Sequence, residues 1–248
     1  MSKRRIQKVA VLGSGIMGSR IACHFANVGV QVLLLDIVPK ELSETEVAKG
    51  LSLEDAQVRN RIVNDSLKSA IKSSPSPLYQ SGVPSLITTG NFDDDLEKVS
   101  EYDWILEAII ERLDIKKDLF EKLDGIRKEG TLITSNTSGI PIHLMSEGRS
   151  EDFRKHFCGT HFFNPPRYLR LLEIIPIAET QPELVDFFMH FGEINLGKQT
   201  VLCKDTPAFI ANRIGVMSGV KVFDLTQQYD LTIEEVDALT GALIGRPN

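Results

Sequence analysis

The stretch Lys8-Val9-Ala10-Val11-Leu12-Gly13-Ser14-Gly15-Ile16-Met17-Gly18, running on to Leu33-Leu34-Leu35-Asp36, decides the fold. Val9 to Leu12 is a short apolar run and reads as a buried strand. Gly13, Gly15 and Gly18 then spell G-x-G-x-x-G, and Ile21, Ala22, Phe25 and Val28 fall on one face of the helix that follows. Gly29 stops that helix, and residues 30–35 form a second buried strand ending in Asp36. Gly13 permits the tight turn, Gly15 lets a pyrophosphate approach the backbone, and Gly18 brings helix and strand close. Open N–H groups and the dipole at the helix start favour phosphate. Asp36, 23 residues after Gly13, accepts hydrogen bonds from ribose hydroxyls and repels a 2′-phosphate, which selects NAD over NADP. Three glycines alone arise by chance in loops; the flanking strand, helix and acid make the reading specific.

The 248 residues are enough for the buried core of one large or two smaller domains. With 42% hydrophobic and 25% charged residues, the chain is globular rather than disordered. A net charge of −6 argues against a broad nucleic-acid-binding surface. Ser2-Lys3-Arg4-Arg5 is followed by a strand rather than a signal-peptide apolar stretch, and reads as a solvated end. No apolar run approaches the ~20 residues that span a bilayer. Cys23, Cys158 and Cys203 are odd in number and lack C-x-x-C spacing. They point to reduced thiols in the cytoplasm, with no metal and no disulfide framework.

Residues 40–72 interrupt the doubly wound pattern. Val58, Ile62, Val63, Ala70 and Ile71 share one apolar face, so the spacing predicts an inserted helical pair, ended by Ser73-Ser74-Pro75-Ser76-Pro77. Its Arg59, Arg61, Lys68 and Lys72 either meet an anionic ligand or form a solvated face. Strands follow at 86–89, 102–108 and 131–135. A helix with Ile115, Leu119, Leu123 and Ile126 lies between the last two, and Glu107, Glu111 and Lys116 are placed on the loop and helix. Strands that alternate with helices pair in parallel and gather ligands at their C-terminal ends, where Gly13, Asp36 and Ser138 fall.

Strands at 157–162 and 171–175 flank the stiff turn Asn164-Pro165-Pro166, a helix opens at Pro182, and 200–202 closes the sheet. Asp205-Thr206-Pro207 reads as a cap with proline at the first position of a long helix bearing Phe209, Ile210, Ile214, Met217 and Val220. A second helix starts at the capping box Thr232-Ile233-Glu234-Glu235. The expected architecture is α/β: a Rossmann-like, doubly wound, mostly parallel sheet over residues 1–203, with a helical insertion at about 40–80. Residues 204–248 begin an all-α domain that two helices do not complete.

His161 ends a strand in Thr160-His161-Phe162-Phe163-Asn164-Pro165. An imidazole, with an unperturbed pKa near ~6.5, suits the base that takes a hydroxyl proton while hydride leaves to a nicotinamide. Glu173, set among Leu171, Leu172, Ile174 and Ile175, is an odd residue to bury unless it partners that histidine. A hydrogen-bonded core histidine beside an edge-strand glutamate fits the same pattern. His24, His143, His156 and His190 lie on helices or loops with no matching acid and read as structural or surface residues. Asn212, in Phe209-Ile210-Ala211-Asn212-Arg213, either faces the core and holds a substrate oxygen or is an exposed helical asparagine.

Residues 13–18, Asp36, Glu107-Ala108-Ile109-Ile110-Glu111, Ser135-Asn136-Thr137-Ser138, His161-Phe162-Phe163-Asn164-Pro165 and residues 204–213 stand together in one order. In these stretches, spread over nearly the whole chain, the sequence closely resembles the L-3-hydroxyacyl-CoA dehydrogenase family. The resemblance implies NAD-dependent oxidation of (3S)-3-hydroxyacyl-CoA to 3-oxoacyl-CoA in fatty-acid β-oxidation. It implies His161 as base and Glu173 as its partner, with Ser138 and Asn212 on the substrate's hydroxyl or thioester oxygen and Asn164 on the acyl-CoA. NAD is then served by Gly13, Gly15, Ile16, Met17, Gly18, Asp36, Glu111, Lys116 and Ser138, and CoA by Ser66 and Lys72 of the insertion. A homodimer through the C-terminal helices is implied where that domain is complete.

The sequence also departs from the family. The Ser- and Pro-rich stretch 73–77 is not a general family feature, and the helical domain is short. Thr240-Gly241-Ala242-Leu243-Ile244-Gly245-Arg246-Pro247 looks like the middle of a motif, as in long bacterial proteins that fuse this dehydrogenase to an enoyl-CoA hydratase. The expectation is an NAD-binding fragment with weak or absent acyl-CoA turnover. Two other functions share the N-terminal pattern. The HFFNP stretch and the insertion argue against a small hydroxy-acid dehydrogenase; His161, Glu173, Ser138 and Asn212 together argue against a non-catalytic NAD-binding relative.

Overall fold

The computed structural model describes residues 4–245; Ser2, Lys3, Arg246 and Pro247, on which readings of the two ends partly rest, lie outside them. β1 (Lys8–Leu12), α1 (Ile16–Asn27) and β2 (Gln31–Asp36) form the first crossover, and the insertion holds α2 (Glu44–Ala48), α3 (Ala56–Arg59) and α4 (Arg61–Lys72). β3 (Ile87–Asn91), α5 (Phe92–Asp95), β4 (Trp104–Glu107), α6 (Leu113–Ile126) and β5 (Leu132–Ser135) continue the winding. After α7 (Ile142–Ser146) and α8 (Glu151–Lys155) come β6 (Phe157–Phe162), β7 (Leu171–Pro176), α9 (Pro182–Ile194) and β8 (Gln199–Leu202). The chain divides into two units after Pro207, and the second holds α10 (Ala211–Gln228) and α11 (Ile233–Thr240). No helix among the described residues is long and apolar enough to cross a membrane.

The strands form one sheet in the order β3-β2-β1-β4-β5-β6-β7-β8. Neighbours are parallel except β6 and β7, which run antiparallel with His161 opposite Glu173. The mostly parallel sheet expected from the alternation is therefore present, buried on both faces as such sheets are. On one face Trp104 of β4 meets Phe25 of α1 at 5.0 Å and Phe188 of α9 at 4.9 Å between ring centroids. On the other, Phe120, Phe153 and Phe157 pack edge to face or tilted within 5.6 Å. Each such ring removes enough apolar area from water to stabilise the fold by roughly 1.5–3 kcal/mol.

Four local readings are corrected. The insertion is three helices rather than a pair: a Ser43–Glu46 capping box starts α2, and Gly50, at φ 70°, lies just beyond its end. Glu107 stands on β4 itself, fully buried, and not on the loop. His143 and His156 do have acids, Asp205 at 2.6 Å and Asp152 at 3.1 Å. Asp205 is the largest correction. Its carboxylate accepts the N–H groups of Ile142 (2.7 Å) and His143 (2.9 Å), so it caps α7 instead of the long helix. Ala208 and Phe209 lie at φ 62° and 49°, in the left-handed region, so no helix starts at Pro207 and α10 begins at Ala211. The capping box at Thr232 forms as read, with Thr232 N–H donating to Glu235 Oε2 at 2.8 Å.

Two of the insertion's cations are engaged within the protein. Arg59 donates to both Asp94 oxygens at 2.7 Å, and Arg61 pairs with Glu46. The Ser- and Pro-rich stretch is pinned by Arg167, whose guanidinium lies 4.5 Å from the Tyr79 ring and donates to the carbonyls of Ser76 and Leu78.

His24 of α1 is 2% exposed, with Nε2 3.0 Å from the Leu196 carbonyl and Nδ1 without a partner among the described residues. Burial foremost, then the Lys198 charge, lower its pKa from 6.5 to about 4 against the pull of the Leu196 carbonyl. The unfolded chain thus takes up a proton near pH 6.5 that the folded chain refuses until about pH 4. Stability is lost as pH falls through that window, by about 3 kcal/mol from this residue. Denaturant titrations at pH 7.5 and pH 4 should show His24→Gln losing about 3 kcal/mol less than the wild type on acidification. A gap between the two proteins that stays constant with pH would remove His24 from the acid response.

Candidate active site

Each glycine of the first turn has a distinct geometric reason. Gly13 sits at φ 99°, and a Cβ there would lie 2.5 Å from the Ala108 carbonyl oxygen. A Cβ on Gly18 would lie 1.7 Å from the Gly13 carbonyl oxygen, so helix and turn touch through that hydrogen. Gly15 is different: a Cβ there would meet no protein atom, and the space it leaves belongs to the crevice. The start of α1 has no side-chain cap, which leaves its N–H groups to a ligand. Asp36 receives the Ser14 N–H (2.6 Å) and hydroxyl (2.5 Å) on one oxygen and the Ile37 N–H (2.7 Å) on the other. These groups bound a cavity of about 930 Å³ whose walls include Gly13, Gly15, Ile16, Met17, Asp36, Glu111 and Ser138. Its size, its bare backbone at Gly15 and its carboxylate at 36 fit a dinucleotide with free ribose hydroxyls.

The antiparallel register of β6 and β7 sets His161 opposite Glu173, and His161 Nδ1 lies 2.8 Å from Glu173 Oε2. The pair is buried, His161 being 3% exposed and Glu173 not at all. An ionised carboxylate only accepts, so Nδ1 carries the proton and Nε2 presents its lone pair. Nε2 lies 3.1 Å from Ser138 Oγ. The edge-strand reading of Glu173 fails, because β8 covers the far side of β7. Cys203 stands beside this carboxylate, and burial, followed by the Glu173 charge, pushes its thiol up to about 12.

A second buried network holds Ser138 from below. Glu107 accepts Lys116 Nζ at 2.6 Å and the Ile109 N–H at 2.7 Å on one oxygen, and the Ser135 hydroxyl on the other. Lys116, 1% exposed, reaches Glu111 at 3.4 Å and does not line the crevice. Glu111 accepts the Thr137 hydroxyl and the N–H groups of Ser138 (2.9 Å) and Gly139 (3.0 Å). Burial alone pushes the Glu111 carboxyl up, but the Thr137 hydroxyl, the Lys116 charge and those N–H groups bring it below the usual range. Asn136 joins the same loop to β6 by accepting the Phe162 N–H at 2.8 Å.

Ser66 lines a separate cavity of about 410 Å³ between α1 and α4, whereas Lys72 is exposed and does not line it. Asn164 lies beyond β6, where its Oδ1 accepts Arg20 Nη1 at 2.6 Å. Asn212 stands in the first turn of α10, in the second unit. The sequence names Glu107, Ser135 and Cys203 without giving them a place beside the site, and passes over Arg20. A lysine and a glutamate nine residues apart have no periodic signal, and a lone arginine on a helix reads as solvated.

The family model described as "3-hydroxyacyl-CoA dehydrogenase, NAD binding domain" matches residues 8–206. The chain is 51% identical over 244 residues to a "Probable 3-hydroxyacyl-CoA dehydrogenase" of Bacillus subtilis (strain 168), covering 98% of this chain and 31% of that one. A protein of the same name from Deinococcus radiodurans is 47% identical over 242 residues, covering 98% and 66%. The chain therefore spans less than two thirds of either relative. The solved (S)-3-hydroxybutyryl-CoA dehydrogenase PaaH1 from Ralstonia eutropha matches with a TM-score of 0.75 at 27% identity, covering 98% of this chain and 79% of that one. A turn that leaves bare backbone to a dinucleotide, and a chain that matches the family model over most of its length, lead to one conclusion: this protein belongs to the 3-hydroxyacyl-CoA dehydrogenase family and carries its NAD-binding domain.

Proposed function

We propose that the protein oxidises (3S)-3-hydroxyacyl-CoA to 3-oxoacyl-CoA with NAD, in fatty-acid β-oxidation, with His161 as the base. The observation that carries this reading is the line from Glu173 through His161 to Ser138, at 2.8 and 3.1 Å, with Ser138 on the wall of the nucleotide crevice. NAD, when bound, accepts the hydride. His161 Nε2 takes the hydroxyl proton, and the Glu173 carboxylate stabilises the imidazolium that results. Ser138 Oγ holds the substrate oxygen beside Nε2, and Asn164 contacts the acyl-CoA. Without Glu173 the tautomer would be free and the new charge would lie buried and unpaired.

Two further parts of the reading have structural support. Val216, Met217, Val220 and Phe223 of α10 are exposed apolar side chains, which supports a homodimer through these helices. Cys23, Cys158 and Cys203 are free and buried, which suits the reducing cytoplasm.

The reading is tested by NADH formation from a chain-length series of 3-hydroxyacyl-CoAs. His161→Ala should lower kcat about 10³-fold and Glu173→Gln about 10²-fold, with NADH affinity held within about twofold. Turnover that survives His161→Ala would remove the residue from the chemistry. Asp36 sets the cofactor choice, since its charge repels a 2′-phosphate. In fluorescence titrations Asp36→Ser should raise the Kd for NADH about tenfold or more and bring NADPH to comparable affinity. An unchanged preference would place the selectivity elsewhere.

A further inference from the structure

Lys198 lies between α9 and β8 and is 4% exposed. Its ammonium donates to two carbonyls of the connection between β6 and β7, that of Pro166 and, at 2.9 Å, that of Leu169. It stands 5.5 Å from the centre of the Phe162 ring. Among the described residues no carboxylate offsets its charge, and burial alone lowers its pKa from 10.5 to about 8. Few charged or titratable groups surround it. On α1 it meets His24, whose pKa its charge helps lower to about 4, so that imidazole is neutral in alkaline solution. In the connection, Arg167 is turned to the Ser76 and Leu78 carbonyls, and the Tyr168 hydroxyl donates to Ser76. Glu193 of α9 accepts the Thr200 hydroxyl at 2.9 Å.

A buried ammonium without an acid is costly, and a neutral donor would satisfy the same carbonyls without that cost. What the charge adds is strength, since hydrogen bonds from an ionised donor are roughly twice as strong as neutral ones. That strength falls on one short segment: Asn164 stands just before Pro166, and Leu169 just before β7. We propose that Lys198 is a positioning residue for the reaction, its charged form holding the connection in the shape that presents Asn164 to the acyl-CoA. The inference rests on the proposed function, which sets Asn164 on that substrate. Lys198 lines neither the dinucleotide crevice nor the cavity beside α4, so it acts on the substrate only through the connection. Its effect therefore belongs in the KM for acyl-CoA, not in kcat or in dinucleotide affinity.

The test is steady-state oxidation of 3-hydroxybutyryl-CoA from pH 7 to pH 9.5 by the wild type, Lys198→Met and Lys198→Arg, with NADH binding measured beside it. Rising pH removes the Lys198 proton near pH 8 and weakens both bonds. Wild-type KM should climb about fivefold over this range, with no matching fall in kcat. Lys198→Met should start about tenfold higher at pH 7 and stay flat. Arginine keeps its charge throughout, so Lys198→Arg should stay within about threefold of the wild-type value at pH 7. The Kd for NADH should hold within about twofold in all three. A flat wild-type KM overturns this inference alone, even where neither variant folds. So does a KM that ignores Lys198→Met, or an alkaline rise that persists in Lys198→Arg. NADH binding that weakens in step with KM would make Lys198 a support of the whole fold and overturn it too. A wild type that turns over no 3-hydroxyacyl-CoA would overturn the inference together with the proposed function.

Discussion

A carboxylate with no exposure to water, in the middle of an apolar strand, constrains the whole second half of the sheet. An unpaired buried charge costs several kcal/mol, so Glu173 depends on the imidazole 2.8 Å away. The partner is in place because β7 reverses direction: residues directly opposite on an antiparallel pair present their side chains to the same face. Reversal needs only a short connection, where another parallel strand would need a crossover helix. The connection actually present, between β6 and β7, carries Asn164 and is tied down from two sides. Lys198, whose pKa burial lowers to about 8, donates to the Pro166 and Leu169 carbonyls. Arg167 ties the same connection to the stretch after α4.

The first half of the sheet meets this arrangement at Ser138. Its position depends on a buried ion pair, Glu107 with Lys116, and on a half-exposed acid, Glu111, that collects the N–H groups of residues 138 and 139. Neither charge of the buried pair faces the crevice, so the pair supplies rigidity, and Glu111 supplies position. A loop with two N–H donors aimed at one carboxylate oxygen has little freedom to move its serine. The hydroxyl is consequently held 3.1 Å from the imidazole without a helix or strand to support it.

The features legible in the sequence were those with a local cause. A glycine turn between strand and helix, a box at Thr232 and the apolar runs of the sheet each need only neighbouring residues to be read. Glu173 was legible for the opposite reason, because a charge among Leu171, Leu172, Ile174 and Ile175 contradicts its surroundings. Asp205 was misread because a polar residue before Thr206-Pro207 satisfies the rule for a cap. Its partners, Ile142 and His143, lie more than 60 residues away, and no local pattern reports them. Lys116 was placed on the cofactor by resemblance, whereas its burial sets it behind Glu111. Residues whose partners are distant in the chain are visible only once the strands are laid side by side.

The first turn of α1 borders two cavities, the dinucleotide crevice and the smaller one beside α4. It is stiffened from both sides: Asp36 holds the Ser14 N–H and hydroxyl, and the Ser19 hydroxyl donates to the Ser14 carbonyl. Gly15 carries no side chain into the dinucleotide crevice, so the backbone of this turn stays open to phosphate. The helix dipole favours phosphate at only one point, the start of α1.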